Sequence, residues 1–203
     1  MSTTEPQSYT PTLPPTATLH TTSTLHISLT PFPLSPSTLT TFVHSPHAGA
    51  TVLFIGSTRS TFASRPVASL SYTSYIPLAL ATLVRIGEAM VAKHGLIKLA
   101  IEHRLGECKV GVESVVIAVS APHRGAAWRA GEECLEEVKS KAEIWKLERF
   151  EGGEGVWRSN RDGGVGVRVE EGEKEEKEGE GEVGGETGKI EGGSGKGGEG
   201  EKV

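Results

Sequence analysis

A break in composition at Arg161 does most to limit what this chain can fold into. From Arg161 to Val203 there is no Phe, Tyr or Trp, and Gly, Glu and Lys dominate. Such a stretch cannot bury enough apolar surface to offset the entropy of ordering it, so 161–203 reads as a disordered acidic tail. Residues 1–18, rich in Ser, Thr and Pro, read as disordered for the same reason. A core must therefore come from 19–160, a length suited to one domain of ordinary size. The charge divides the same way. The last 43 residues hold 13 acidic and 7 basic side chains, whereas the whole chain holds 26 and 21, leaving 13 acidic and 14 basic in 1–160. A nearly neutral domain lacks the basic face that general nucleic-acid binding needs.

Within 19–160 the hydrophobic pattern alternates between periods of two and of 3.6. Leu25-His26-Ile27-Ser28-Leu29 reads as a strand. Ser37 or Thr38 is expected to cap a short helix carrying Leu39, Phe42 and Val43, with Pro46 ending it. Ala50 to Ile55 reads as a buried strand stopping at Gly56. Ala68, Leu70 and Tyr72 alternate with Ser69, Ser71 and Thr73, as in a half-exposed strand. Pro77 suits a first helical turn. Leu80, Leu83, Val84, Ile86, Met90 and Val91 form the stripe of a helix that Gly95 stops. Ile97, Leu99 and Ile101 predict a strand, Ser114 to Val119 another, and Gly125 to at least Val138 a long helix. Strands and helices in this order predict an α+β fold with a mixed or antiparallel sheet and packed helices.

Cys108 and Cys134 stand alone, without a CxxC pair, and read as reduced, buried thiols. No apolar run nears the roughly 20 residues of a membrane span. No Lys or Arg precedes Arg59, which argues against a secretory or mitochondrial leader and points to the cytoplasm. Gly193-Ser194-Gly195-Lys196 lacks the Ser or Thr and the preceding strand of a phosphate loop and is set aside.

The residues that suggest chemistry are cations. His123 and Arg124 fall between a strand and a helix, where backbone amides and the helix dipole favour an anion, and Arg124 offers a planar fork to phosphate oxygens. Lys139 and Lys146 are seven residues apart, so an uninterrupted helix would carry both on one face, with Trp145 anchoring the segment. Arg59 follows the strand at 50–55. Each of these also suits an ordinary solvated position. His20, His26, His44 and His47 show no metal-ligand spacing, His94 sits near a helix end, and His103, ending a strand beside Arg104, reads as structural. No metal site and no Ser-His-Asp or Cys-His arrangement is indicated.

Taken together, Gly56-Ser57-Thr58-Arg59, Glu102-His103-Arg104-Leu105-Gly106, Val119-Ser120-Ala121-Pro122-His123-Arg124, Lys139 with Trp145-Lys146, and Gly155-Val156-Trp157 carry a resemblance that runs from about 25 to 160. The chain resembles the large, catalytic subunit of molybdopterin synthase. The resemblance implies a hammerhead-like fold and a sulfurtransferase that turns cyclic pyranopterin monophosphate into molybdopterin by building its dithiolene, without a cofactor. It implies a small ubiquitin-like sulfur-carrier subunit bearing a C-terminal Gly-Gly thiocarboxylate, and a homodimer of large subunits within a heterotetramer. Lys139 and Lys146 match the family's catalytic lysines. Arg59, His123 and Arg124 match its anion-holding residues, and Leu147 and Glu148 fall where the family also contacts substrate. The family usually has a proline two residues before the tryptophan. Glu143 stands there instead and is expected to let the helix run on and to bring a carboxylate near the two lysines. The alternative from another functional class is a noncatalytic phosphate-binding or scaffold module of the same fold.

Overall fold

The computed structural model describes residues 16–160 and 166–170. Most of the stretch 1–18, and 161–165 with 171–203 of the expected tail, lie outside the described residues.

Among the described residues, two sheets and three helices follow the expected α+β plan. The first sheet has five strands: β1 (Thr18–Thr21), β2 (Leu25–Thr30), β3 (Ala50–Ser57), β6 (Lys98–Arg104) and β8 (Glu113–Ala121), in the order β1-β2-β6-β8-β3. It is mixed, because β2 and β6 run parallel whereas its other pairs are antiparallel. The second contains β4 (Thr61–Phe62), β5 (Arg65–Ser74), β7 (Gly106–Lys109), β9 (Ile144–Phe150), β10 (Glu154–Ser159) and β11 (Val167–Glu170). Its order is β11-β10-β9-β5-β4, with β7 also on β5, and every pair is antiparallel.

The first sheet is covered on both faces, so its central strands lose the alternation of a half-buried strand. Leu99, Ile101, Ile117 and Val119 pack into one cluster with Leu83, Met90, Ala130 and Cys134 of helices α2 (Ile76–His94) and α3 (Arg124–Lys141). Ala100, Val116 and Ala118 point the other way, toward Leu39 and Val43 of α1 (Pro36–Val43). Strand β3 departs from its expected buried state. It is one of the two edge strands, with Val52 buried and Leu53 and Ile55 both about 40% exposed. An apolar run cannot by itself tell an edge position from a central one.

The helix ends follow local chemistry. The cap of α1 is Ser35, earlier than expected, with its Oγ accepting from the Thr38 N–H at 3.4 Å. Pro36 is the reason: it lacks an N–H and its φ is preset, so it makes the first helical residue and leaves the preceding serine to cap. Gly95 ends α2 at φ 61°, and the amides of Gly95 and Leu96 both reach the Val91 carbonyl. The third helix stops at Lys141, against the expectation that it continues past Glu143. Ala142 is extended, and Ile144–Phe150 instead pairs on both sides, with β5 and with β10. Two ladders and the burial of Ile144, Leu147 and Phe150 override local helical preference.

Strand β11 falls inside the stretch read as a disordered tail. Val167 and Val169 alternate with polar neighbours, and β10 would otherwise leave an edge of unpaired backbone groups. Only over the whole tail does composition hide this short strand. Among the described residues no helix is long and apolar enough to cross a membrane.

Candidate functional site

Strand β9 lies between β5 and β10, and its alternation sends Lys146 and Glu148 to one face. Tyr72 of β5 and Arg158 of β10 are the cross-strand neighbours of Lys146. This face of the second sheet meets the last turn of α3, the end of β6 and the loop after β3. Between them lies a cavity of about 460 Å³, lined by Arg59, Lys139, Lys146, Glu148, Tyr72, His103 and Asn160, with Phe54, Phe62 and Leu70 among its apolar wall.

Each cation reaches the cavity from a different element. Arg59 is exposed and lies just beyond Thr58. Buried Thr58 is held by its N–H to the Val112 carbonyl (3.0 Å), by its own carbonyl to the Gly111 N–H (2.9 Å), and by its hydroxyl to the Cys108 carbonyl (3.2 Å). Lys139 is in the last turn of α3 and Lys146 is the third residue of β9. The two lysines thus meet across a helix–strand junction, and not along one helical face. Trp145 is turned away and 42% exposed, so it does not anchor the segment by burial.

The carboxylate beside Lys146 is Glu148. It is 1% exposed, with Oε1 3.3 Å from Lys146 Nζ and Oε2 2.9 Å from Arg158 Nε. A buried carboxylate with two cationic partners is compensated, and it holds both in place. Arg158 is fixed further by lying 5.2 Å over the Phe62 ring. Glu143, expected to supply this carboxylate, belongs elsewhere. Its Oε1 accepts from Thr82 Oγ1 at 3.2 Å in a separate groove with Arg85, Glu137 and Lys141. The end of α3 at Lys141 accounts for this, because it turns Glu143 toward α2.

The other expected residues are placed differently. Leu147, between Lys146 and Glu148 on β9, is buried and does not line the cavity. His123 and Arg124 do form the expected strand-to-helix turn: β8 ends at Ala121, His123 is the N-cap of α3, and both residues are exposed. Fifteen residues of helix separate Arg124 from Lys139, about 22 Å at 1.5 Å per residue. Within one chain they are remote from the cavity.

Sequence reasoning missed His103 and Asn160. His103 is 1% exposed, and burial pushes its pKa down to about 4. Its Nδ1 is 2.9 Å from the Arg104 carbonyl, its Nε2 is 3.4 Å from Asn160 Nδ2, and Tyr72 meets it edge-on at 4.9 Å. The only hint in the sequence is the alternation of β6, which sets His103 on the face of Leu99 and Ile101; that Asn160 lies beside it depends on tertiary pairing. Both cysteines are fully buried. Burial raises the Cys108 thiol and pushes Cys134 up to about 12, so neither is an available thiolate.

The arrangement is thus a small-molecule cavity with three cations, one compensated carboxylate and no available thiol among the described residues. Comparison with known proteins agrees with it. The family model described as MoaE protein matches residues 29–141. The molybdopterin synthase catalytic subunit of Pyrenophora tritici-repentis is 63% identical over 174 residues, covering 86% of this chain and 97% of that protein. That of Phaeosphaeria nodorum is 62% identical over 172 residues, covering 85% and 92%. The crystal structure of molybdopterin synthase from Staphylococcus aureus aligns with a TM-score of 0.62 at 33% identity, covering 68% of this chain and 98% of that one. The chain therefore belongs to the MoaE family, that of the catalytic subunits of molybdopterin synthase in molybdenum cofactor biosynthesis.

Proposed function

We propose that the chain is the sulfurtransferase component of this synthase. It takes sulfur from the C-terminal Gly-Gly thiocarboxylate of a small ubiquitin-like subunit and delivers it to cyclic pyranopterin monophosphate in the cytoplasm. The observation that carries this reading is the convergence of Arg59, Lys139 and Lys146 on one cavity of small-molecule size. The buried thiols support it too, because sulfur must then come from outside the chain. Each dithiolene needs two sulfur atoms, hence two thiocarboxylates in turn.

Lys146 faces Glu148 across 3.3 Å, which suits it to holding an anion as an ammonium together with Arg59. Lys139 is then the group to move a proton as sulfur transfers: the thiocarboxylate sulfur bonds to a pterin carbon, and water cleaves the acyl–sulfur bond, leaving sulfur on the pterin and releasing the small subunit with a carboxylate end. Leu147 contributes by fixing β9, and Glu148 by fixing Lys146. His123 and Arg124 lie too far along α3 to meet the same substrate within one chain. In the proposed homodimer at the centre of a heterotetramer, a second copy supplies them at the cavity mouth.

The test is reconstitution. The purified chain, mixed with thiocarboxylated small subunit and cyclic pyranopterin monophosphate, is expected to yield molybdopterin, followed by mass spectrometry as the gain of two sulfur atoms. Binding of both reactants without sulfur gain would instead favour a noncatalytic module.

A further inference from the structure

His103 and Asn160 line the cavity, yet the chemistry above uses neither. The geometry fixes the state of this pair. A backbone carbonyl only accepts hydrogen bonds, so the His103 nitrogen 2.9 Å from the Arg104 oxygen, Nδ1, carries the hydrogen. The buried ring lines the same cavity as Lys146 and Lys139, and among the described residues that line it the one carboxylate is Glu148, held by Lys146 and Arg158. Burial keeps the ring neutral at ordinary pH. In that tautomer Nε2 is an acceptor, so its partner at 3.4 Å must be a donor, the Asn160 amide nitrogen. The Asn160 backbone is held as well, its N–H donating to the Ile144 carbonyl at 3.2 Å, at the start of the strand that carries Lys146. With Nδ2 turned to the imidazole, Oδ1 remains as the acceptor of that carboxamide.

We propose that His103 is a positioning residue: its imidazole fixes the Asn160 side chain so that Oδ1 accepts a hydrogen bond from the ring N–H or amino groups of the bound heterocycle. The inference rests on the proposed substrate and deepens it. The cations Arg59, Lys139 and Lys146 recognise the anionic end, and Asn160 reads the donor-bearing heterocycle. His103 itself transfers no proton.

Two measurements test this in the full-length chain. Nitrogen NMR of the free protein at pH 7 is expected to show His103 protonated at Nδ1 and bare at Nε2; an Nε2-protonated or doubly protonated ring would overturn the proposal. In the reconstituted reaction, Asn160→Ala is expected to raise KM for cyclic pyranopterin monophosphate roughly tenfold, the order expected for one lost hydrogen bond, with kcat within about twofold. His103→Leu should do the same, and the double variant should be no worse than either single one, because both remove one interaction. His103→Gln, which keeps an acceptor, should restore much of the loss. Additive losses, or a fall in kcat at unchanged KM, would overturn it. Should His103→Leu fold poorly, Asn160→Ala and the spectrum of the wild-type ring decide alone. A wild-type chain that makes no molybdopterin would refute the functional reading instead, and the ring spectrum would still judge the pair.

Discussion

Burial of the His103 imidazole makes the fold sensitive to pH. In the unfolded chain the ring titrates near 6.5, whereas in the fold it is held down to about 4. As pH falls below 6.5 the unfolded chain takes up a proton that the folded chain refuses. Stability therefore drops through this window, by about 3 kcal/mol when pH 4 is reached, and is fully present above 6.5. Half-buried His26, also lowered by burial, acts in the same direction. Urea midpoints measured between pH 7 and pH 4 should fall less steeply for His103→Gln than for the wild type; parallel curves would contradict this. The cations of the site were legible because their residue types and neighbours form motifs. His103 was read as structural because burial beside a cavity and burial within a core look alike in sequence. Arg158 escaped notice because its meaning depends on lying opposite Lys146 in the β9–β10 ladder.

At the scale of elements, the turn between β8 and α3 depends on a close approach by the loop before β3. The Gly49 N–H donates to the Ala121 carbonyl at 3.1 Å, and a Cβ on Gly49 would lie 2.3 Å from the Pro122 carbonyl oxygen. That neighbour is backbone and cannot turn aside as a side chain can. Gly49→Ala is therefore expected to cost about 1–3 kcal/mol, read as a lower urea midpoint at unchanged slope. A midpoint equal to the wild type would show that the loop yields freely. Elements with strong periodicity and punctuation, such as α2 between Pro77 and Gly95, were legible in full. The helix-to-strand change after Lys141 was not. Lys139 to Lys146 has no proline or glycine to mark it, and only pairing with β5 and β10 selects the strand. The same blindness to partners made β3 look buried when it is an edge strand with Leu53 and Ile55 exposed.

For the molecule as a whole, the α+β class could be read from the order of elements. The junction of two sheets that makes the cavity could not, since it brings together β3, β5, β6, α3, β9 and β10 from positions far apart in the chain. Paired backbone also occurs past the break in composition, where β11 completes an edge and Arg168 reaches Glu154 at 3.4 Å. A chain ending at Glu171 is expected to keep wild-type turnover and thermal stability. One ending at Asn160 should melt lower by a few degrees, about what losing roughly 1 kcal/mol does in a domain of this size; equal melting of the two would deny β11 any part in stability. The account stands or falls on the two lysines that share the cavity. The rate of molybdopterin formation by a folded Lys139→Ala, Lys146→Ala double variant, with thiocarboxylated small subunit and cyclic pyranopterin monophosphate in excess, tests it most directly. A loss of at least about a hundredfold, the scale of a missing proton-transfer group, is the predicted result. A rate near that of the wild type would contradict it.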